Sequence, residues 1–195
     1  KEAYVKEANN QGISVTTAGY SSNLNDFTSL WNSIIAGGYE CVYIPDYYDN
    51  MYKILKTGYT LGYTGVCYGS DGWDGLIQQV PNDSDISFLE NCFYTNHYFV
   101  GSNSKEVKDF IQKYQYKYNG EIPLSFAALG YDAVNIAKQA FEQAGSLEYE
   151  KVVKTLTDGT FSGLVTSSKE FNYIDGNPQK EPVIMIFLTK SSIKC

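Results

Sequence analysis

The sequence predicts an α/β protein whose main unit is a three-layer, doubly wound and mostly parallel sheet. Along the first half of the chain, short runs of β-branched and aromatic residues alternate with stretches of helical periodicity. This alternation is the pattern of βαβ units. One run, ECVYI at 40–44, is almost uninterruptedly apolar, which is typical of a strand buried on both faces of a parallel sheet.

The predicted elements of the first half follow one another in the order that such units require. The first helix covers 1–11 and stops at Gly12, a suitable C-cap. Asn25 and Asp26 offer N-caps for a second helix, which ends at Gly37. The remaining elements are strands at 13–17, 40–44, 64–68 and 91–94 and helices at 49–60 and 75–80.

The second half of the chain is mainly helical. A polar amphipathic helix is predicted at 104–118, a long helix with a wide apolar stripe at 125–144, and a shorter helix at 149–156. The turn sequence IDGNPQ then separates the strands SSKEF and PVIMIFLT. The organisation of the chain therefore changes after about residue 95.

Composition excludes several classes of function. The 195 residues carry a net charge of −7 and contain no arginine, which argues against nucleic acid as a partner because phosphates require clustered basic side chains. His97 is the only histidine, so a multi-histidine metal site is excluded. The glycine patterns of dinucleotide and P-loop sites are absent. We therefore expect neither a metal nor another cofactor.

The four cysteines at 41, 67, 92 and 195 lack the C-x-x-C spacing of zinc and thioredoxin-like sites. Cys41, Cys67 and Cys92 lie in or beside apolar, strand-like stretches, where a free cysteine commonly acts as a small core residue. We expect buried free thiols, and disulfide pairing remains open.

Three loops follow predicted strands: PDYYDN at 45–50, GSDGWDG at 69–75 and TNHYF at 95–99. Ligands of open parallel sheets sit outside the carboxyl ends of the strands, so the three loops should meet at one edge. That edge would gather acids and aromatic rings, namely Asp46, Tyr47, Tyr48, Asp71, Trp73, Asp74, Asn96, His97 and Tyr98. This set predicts a small-molecule pocket in which a carboxylate anchors a cationic group. Alternatively, GSDGWDG is only a helix start with an aspartate cap and a packed tryptophan.

Longer stretches of the sequence resemble a known family. These stretches are YIPDYYDNMYKILKTGYTLGYTGVCYGSDGWDG, FYTNHYF, SFAALGYDAVNIAKQAFEQAGS and FNYIDGNPQKEPVIMIFL. They resemble the type I periplasmic binding proteins of the leucine/isoleucine/valine-binding family, the extracellular solute receptors of ABC importers. The resemblance runs along nearly the whole chain and is most specific at GSDGWDG and FAALGYDA.

The resemblance implies two α/β lobes that are joined by crossing strands and close on an amino acid. By position, 1–95 is similar to a second lobe without its first strand, 96–170 to a segment of an incomplete first lobe, and 171–195 to the return to the second lobe. The natural protein would then be longer at its N-terminus, and the isolated chain would expose apolar surface and self-associate. The residues expected at the crossing are Thr95, Asn96, His97 and Phe171.

The resemblance also implies binding without chemistry. Asp71 matches the acidic residue that pairs with the ligand α-ammonium, and Tyr47 matches an aromatic residue of the same pocket. Tyr48 lies beside Tyr47, and Trp73 is expected as a further wall. The ligand would be an aliphatic or branched-chain amino acid, delivered to an ABC permease. The protein would be extracellular or periplasmic, and a membrane-anchored lipoprotein in its full-length form.

Two alternatives remain open. A ligand-sensing receptor ectodomain can use the same fold. A hydrolase could use Asp71 and Asp74 as paired carboxylates, although Asp74 fits the role of a helix cap better. His97 as a general base would need a nucleophile, and the sequence contains no G-x-S-x-G elbow.

Overall fold

The computed structural model of the protein describes residues 1–81, 85–163, 165–166 and 170–187. Its described strands are β1 (Cys41–Tyr43), β2 (Val66–Gly69), β3 (Cys92–Asn96), β4 (Phe161–Ser162), β5 (Glu170–Phe171), β6 (Tyr173–Ile174), β7 (Asn177–Pro178) and β8 (Val183–Ile186). Four of them form the main sheet in the order β1-β2-β3-β8. β1, β2 and β3 are parallel, and β8 runs antiparallel to β3. The predicted α/β class with a mostly parallel sheet is thus confirmed.

The described helices agree with the predicted ones to within about two residues at most ends. They are α1 (Glu2–Asn10), α2 (Thr28–Ala36), α3 (Tyr48–Thr60), α4 (Leu76–Gln79), α5 (Lys105–Lys117), α6 (Ser125–Ala144) and α7 (Tyr149–Asp158). Single turns of 3₁₀ helix occur at Asp71–Trp73 and Ser87–Leu89. No described helix combines the length and apolarity needed to cross a membrane.

The strand predicted at 13–17 is wrong. These residues have no regular secondary structure, and Ile13 is 57% exposed. β-branched residues favour strands, but a strand is held by its ladder and by side chains on a neighbouring strand. Among the described residues no strand pairs with this segment, so propensity alone does not produce one.

Helices α2, α3 and α4 cover one face of the main sheet. The register places Val42 beside Cys67 and Cys67 beside Cys92, so these side chains point to the same face. The core on this side is formed by large buried side chains from the helices and loops, including Trp31, Met51, Ile54, Trp73, Leu76 and Leu89. This core supports the carboxyl ends of the three parallel strands.

Helix α1 lies on the opposite face. The ring of Tyr4 stacks on Tyr43 with 4.4 Å between centroids, and Tyr43, Tyr68 and Phe93 form a row of rings across β1, β2 and β3. The sheet therefore has helices on both faces, as a three-layer arrangement requires.

Two smaller clusters follow in the chain. Tyr98, Val107, Phe110, Ala128 and Val165 pack between α5 and α6. Ile136, Ala140, Phe161 and Phe171 pack between α6, β4 and β5. The division of the chain into lobe segments at 95 and 170 stays a prediction.

The cysteine prediction is correct at two positions and wrong at a third. Cys67 and Cys92 are buried free thiols, whereas the free thiol of Cys41 is exposed. Cys41 lies on β1, an edge strand of the described sheet, and on the face opposite to Cys67. An edge residue on the partly covered face loses less contact with water than one at the sheet centre. Cys195 lies outside the described residues.

Candidate functional site

The loops 45–50, 69–75 and 95–99, which we call the rim, follow the carboxyl ends of β1, β2 and β3 and touch one another. A Cβ atom on Gly72 would lie 2.6 Å from the carbonyl oxygen of Asp46, so the second loop packs directly on the first. Nε2 of His97 lies 3.8 Å from Oδ2 of Asp71, which joins the third loop to the second. The rim predicted from the sequence therefore exists as one surface.

Asp46 is occupied by structural hydrogen bonds. Its Oδ2 accepts from the Tyr20 hydroxyl at 2.6 Å and from Nδ2 of Asn50 at 3.4 Å, and its Oδ1 accepts from the Tyr47 backbone N–H at 2.7 Å. Burial, followed by the bond to Asp46, raises the pKa of Tyr20, so that hydroxyl stays protonated and donates. Asp46 thus ties the segment before α2 to the start of α3.

Asp74 is occupied as well. Its Oδ1 accepts from the Tyr94 hydroxyl at 3.1 Å, and its Oδ2 accepts from the backbone N–H of Ser125 at 2.6 Å. Asp74 is therefore a helix cap, as expected. It caps α6 and not α4, the helix that begins after Gly75. Burial, followed by the charge of Asp74, raises the pKa of Tyr94. With both oxygens engaged, Asp74 is a poor partner for Asp71 in paired-carboxylate chemistry.

Two rim carboxylates accept no hydrogen bond from the described residues, Asp49 and Asp71. Asp49 is exposed in the first turn of α3, whereas Asp71 lies in the loop between β2 and α4. It begins the single 3₁₀ turn, and its backbone carbonyl accepts from Asp74 N–H at 3.0 Å. Its side chain is 31% exposed, and Nε2 of His97 lies 3.8 Å from its Oδ2. The turn holds the carboxylate at the surface, half-shielded from water.

The three aromatic residues predicted for the pocket differ in position. Tyr47 is 60% exposed, with its ring centroid 6.4 Å from that of Phe126. Tyr48 is half-buried and packs against the main core as the first residue of α3. Trp73 is fully buried, and its Nε1 donates to the carbonyl of Ile44 at 2.9 Å. Trp73 therefore supports the rim from below and does not wall a pocket.

The residues predicted for a crossing lie in two places. Thr95 is exposed on β3, where it pairs with Ile184, and Asn96 ends the strand with only 1% of its surface exposed. Oδ1 of Asn96 accepts from the His97 backbone N–H at 2.8 Å. Phe171 is buried in the apolar cluster around α6, away from the rim. A hinge role for these residues stays a prediction.

The donors that engage Asp46 and Asp74, namely Tyr20, Tyr94 and Ser125, were not predicted from the sequence. A signal existed only for Ser125, because it was expected to begin a helix whose first N–H groups need an acceptor. Near Asp74, the hydroxyl of Tyr98 is buried without a partner among the described residues, and burial raises its pKa to about 12. In the described part of the chain no group of three or more potential ligand side chains could hold a metal ion.

The carboxyl ends of the parallel strands thus bring the loop of Asp71 next to the exposed ring of Tyr47 at one edge of the sheet. The chain belongs to the periplasmic binding protein family, whose profile matches residues 1–182. Members of this family are non-catalytic receptors, so the hydrolase alternative is wrong. No curated protein sequence matches the chain significantly.

Solved structures of solute receptors share the fold. The leucine-binding protein LivK of Thermotoga maritima is 26% identical, with 98% of this chain and 53% of that chain covered and a TM-score of 0.78. LivJ of Streptococcus pneumoniae in complex with isoleucine is 19% identical, with 94% and 56% covered and a TM-score of 0.65. A solute-binding protein of R. palustris in complex with benzoate is 16% identical, with 94% and 50% covered and a TM-score of 0.71. The chain spans about half the length of each of these proteins.

Proposed function

We propose that this chain is part of the solute-binding component of an ABC importer, which binds an aliphatic or branched-chain amino acid and releases it unchanged. Membership of the periplasmic binding protein family supports the receptor role. The similarity to LivK, at 26% identity over 98% of the chain, supports an amino acid as ligand. An extracellular or periplasmic location, a lipid anchor and a membrane permease as partner belong to the same proposal.

The availability of Asp71 is the observation that carries this proposal. Asp46 and Asp74 have their oxygens engaged by neighbouring donors. Among the described residues none donates a hydrogen bond to the side chain of Asp71, and Nε2 of His97 lies 3.8 Å from its Oδ2. Asp49, the remaining rim aspartate, is exposed on α3. An α-ammonium group offers three N–H donors and a full positive charge, and charge-assisted hydrogen bonds are the strongest that a carboxylate makes. Asp71 is therefore the residue expected to hold the ammonium group.

The neighbours of Asp71 suit the rest of an amino acid. The exposed ring of Tyr47, with Tyr48 behind it, offers apolar surface for an aliphatic side chain. We assign residues 1–95 and 171–195 to one lobe and 96–170 to another, with Thr95, Asn96, His97 and Phe171 at the crossing. Closure of such lobes would remove water from the ligand and strengthen its bond to Asp71.

Calorimetric titration of the chain with leucine, isoleucine and 4-methylpentanoate tests the proposal. The last compound is leucine without its ammonium group, so it should bind at least about tenfold more weakly, which corresponds to about 1.4 kcal/mol. Asp71→Asn should weaken leucine binding by a similar or larger factor, because it removes the charge and keeps the shape. Asp109→Asn, at an exposed ion pair with Lys105 on α5, is the matched control and should leave affinity unchanged.

Each contrary result has a distinct meaning. Leucine binding that survives Asp71→Asn would show that another group anchors the ammonium. Preference for 4-methylpentanoate over leucine would indicate a carboxylate ligand without an ammonium group. Absence of binding by both leucine and isoleucine would reject the proposed ligand class for this chain.

A further inference from the structure

The two buried thiols lie side by side in the main sheet. Cys67 on β2 and Cys92 on β3 are directly paired in the parallel register. Neighbouring strands are about 4.7–4.9 Å apart, and the Cα atoms of disulfide-bonded cysteines are usually about 4.4–6.8 Å apart. Because paired residues of neighbouring strands point to the same face, both sulfur atoms lie on the side that packs against α3.

A cavity connects this pair to the protein surface. Its volume is about 130 Å³, and its lining includes Cys67, Cys92 and the rings of Trp31 and Phe88 together with the exposed residues Thr64 and Glu90. The cavity lies at the amino-terminal ends of β2 and β3, at the opposite edge of the sheet from the rim. The cavity therefore provides a route towards the two cysteines that is separate from Asp71 and its neighbours.

We propose that Cys67 and Cys92 form a redox pair that closes reversibly into a cross-strand disulfide. A small-molecule disulfide such as oxidised glutathione serves as oxidant. The thiolate of one cysteine attacks this disulfide and releases one small thiol, and the second cysteine then attacks the mixed disulfide and releases the other. The two protein thiols lose two protons and two electrons in total, and the oxidant takes them up as two small thiols.

The strand geometry predicts that this disulfide is easily reduced. Side chains stand roughly perpendicular to a sheet, so the paired Cβ atoms start about one strand spacing apart, ~4.8 Å, whereas Cβ atoms in disulfides average ~3.8 Å. Closing the bond must draw β2 and β3 together, and strained disulfides are the labile ones. A hydrogen bond with Cys92, followed by burial, raises the pKa of Cys67, so little thiolate is present and oxidation is slow.

Mass spectrometry of the folded protein tests the pair. The variant Cys41→Ser/Cys195→Ser keeps only Cys67 and Cys92, and prolonged exposure to oxidised glutathione should lower its mass by two hydrogens. Digestion should yield one peptide pair that is linked through Cys67 and Cys92, and dithiothreitol should restore the original mass. The control Cys92→Ser/Cys195→Ser keeps Cys41 and Cys67, which lie on neighbouring strands but opposite faces, and should form no internal disulfide.

Three results would overturn the proposal. In the first, the folded variant keeps both thiols free, while the same variant in urea loses two hydrogens under the same oxidant. In the second, each cysteine carries a stable glutathione adduct and no internal link forms. Internal disulfide formation by the control at the same rate would show that strand register does not select the pair, and would also contradict the proposal.

Discussion

Gly69, the last residue of β2, lies directly against the indole ring of Trp73. A Cβ atom at this position would be 2.2 Å from Cε2 and 2.3 Å from Nε1 of Trp73, far inside van der Waals contact. The ring is fully buried, and its N–H donates to the carbonyl of Ile44 at 2.9 Å. In Gly69→Ala the ring must therefore move, and the hydrogen bond that fixes it under the rim is lost.

The cost of Gly69→Ala follows from these two effects. Overpacking of a core costs about 1–3 kcal/mol, and an unsatisfied buried donor costs about 1–3 kcal/mol. We expect a loss of about 2–6 kcal/mol in the free energy of unfolding. For a chain of this size each kcal/mol lowers Tm by about 2–4 °C, so Tm should fall by roughly 4–24 °C. Urea denaturation followed by tryptophan fluorescence measures the loss, since Trp31 and Trp73 are both buried.

Gly130→Ala is the matched control, and it should change the free energy of unfolding in the opposite direction. Gly130 lies inside α6, is exposed, and has nothing within 4 Å of an added Cβ atom. The same substitution should there stabilise the protein by about 1 kcal/mol through helix propensity. If Gly69→Ala unfolds within about 0.5 kcal/mol of the wild type while Gly130→Ala behaves as expected, the packing of Trp73 described above is refuted.

Two further predictions concern the surroundings of Asp74. Asp74→Ala removes the cap of α6 and leaves the Tyr94 hydroxyl without its acceptor. The free energy of unfolding, measured by urea denaturation, should fall by about 2–3 kcal/mol. A loss below about 0.5 kcal/mol would contradict the capping role. Burial raises the pKa of Tyr98 from 10.0 to about 12. The protonated Tyr98 hydroxyl therefore makes its full contribution to stability below pH 10, and this contribution is lost as the pH rises through 12. Tyr98→Phe should leave the free energy of unfolding at pH 7 nearly unchanged, and its fall between pH 10 and 12 should be shallower than in the wild type. Equal slopes for the two proteins would exclude ionisation of Tyr98 as the cause of the fall.

Helices could be predicted closely because their signals are local. The bounds of α6 agree with the prediction at both ends, since its apolar stripe is long and Gly145 stops it with a positive φ of 56°. The strands β1, β2 and β3 were found for a similar reason, because their apolar runs are short and bounded by turn residues. The residues that determine such an element are all neighbours in the sequence, so the sequence is sufficient to predict it.

Elements that depend on a distant partner could not be predicted in this way. The segment 13–17 has the composition of a strand and none of the pairing. Trp73 was expected as a wall of the pocket, with a packed tryptophan as the alternative, and the structure has the packed ring. The absence of a side chain at Gly69 leaves the space in which this ring is buried. Only the folded chain shows which side of a loop a ring occupies.

The candidate site illustrates the same limit at the level of chemistry. Four aspartates, Asp46, Asp49, Asp71 and Asp74, lie in the first two rim loops. Donors 20 to 51 residues away engage Asp46 and Asp74, and nothing in the sequence of the loops predicts this difference. The contact of Asp74 with Ser125 also joins the Asp71 loop to the start of α6. If the lobes divide as we propose, this hydrogen bond runs between them, so any opening motion must either break it or carry α6 along with Asp71. With that division, the carboxylate that caps α6 couples the proposed ammonium anchor to the proposed closure.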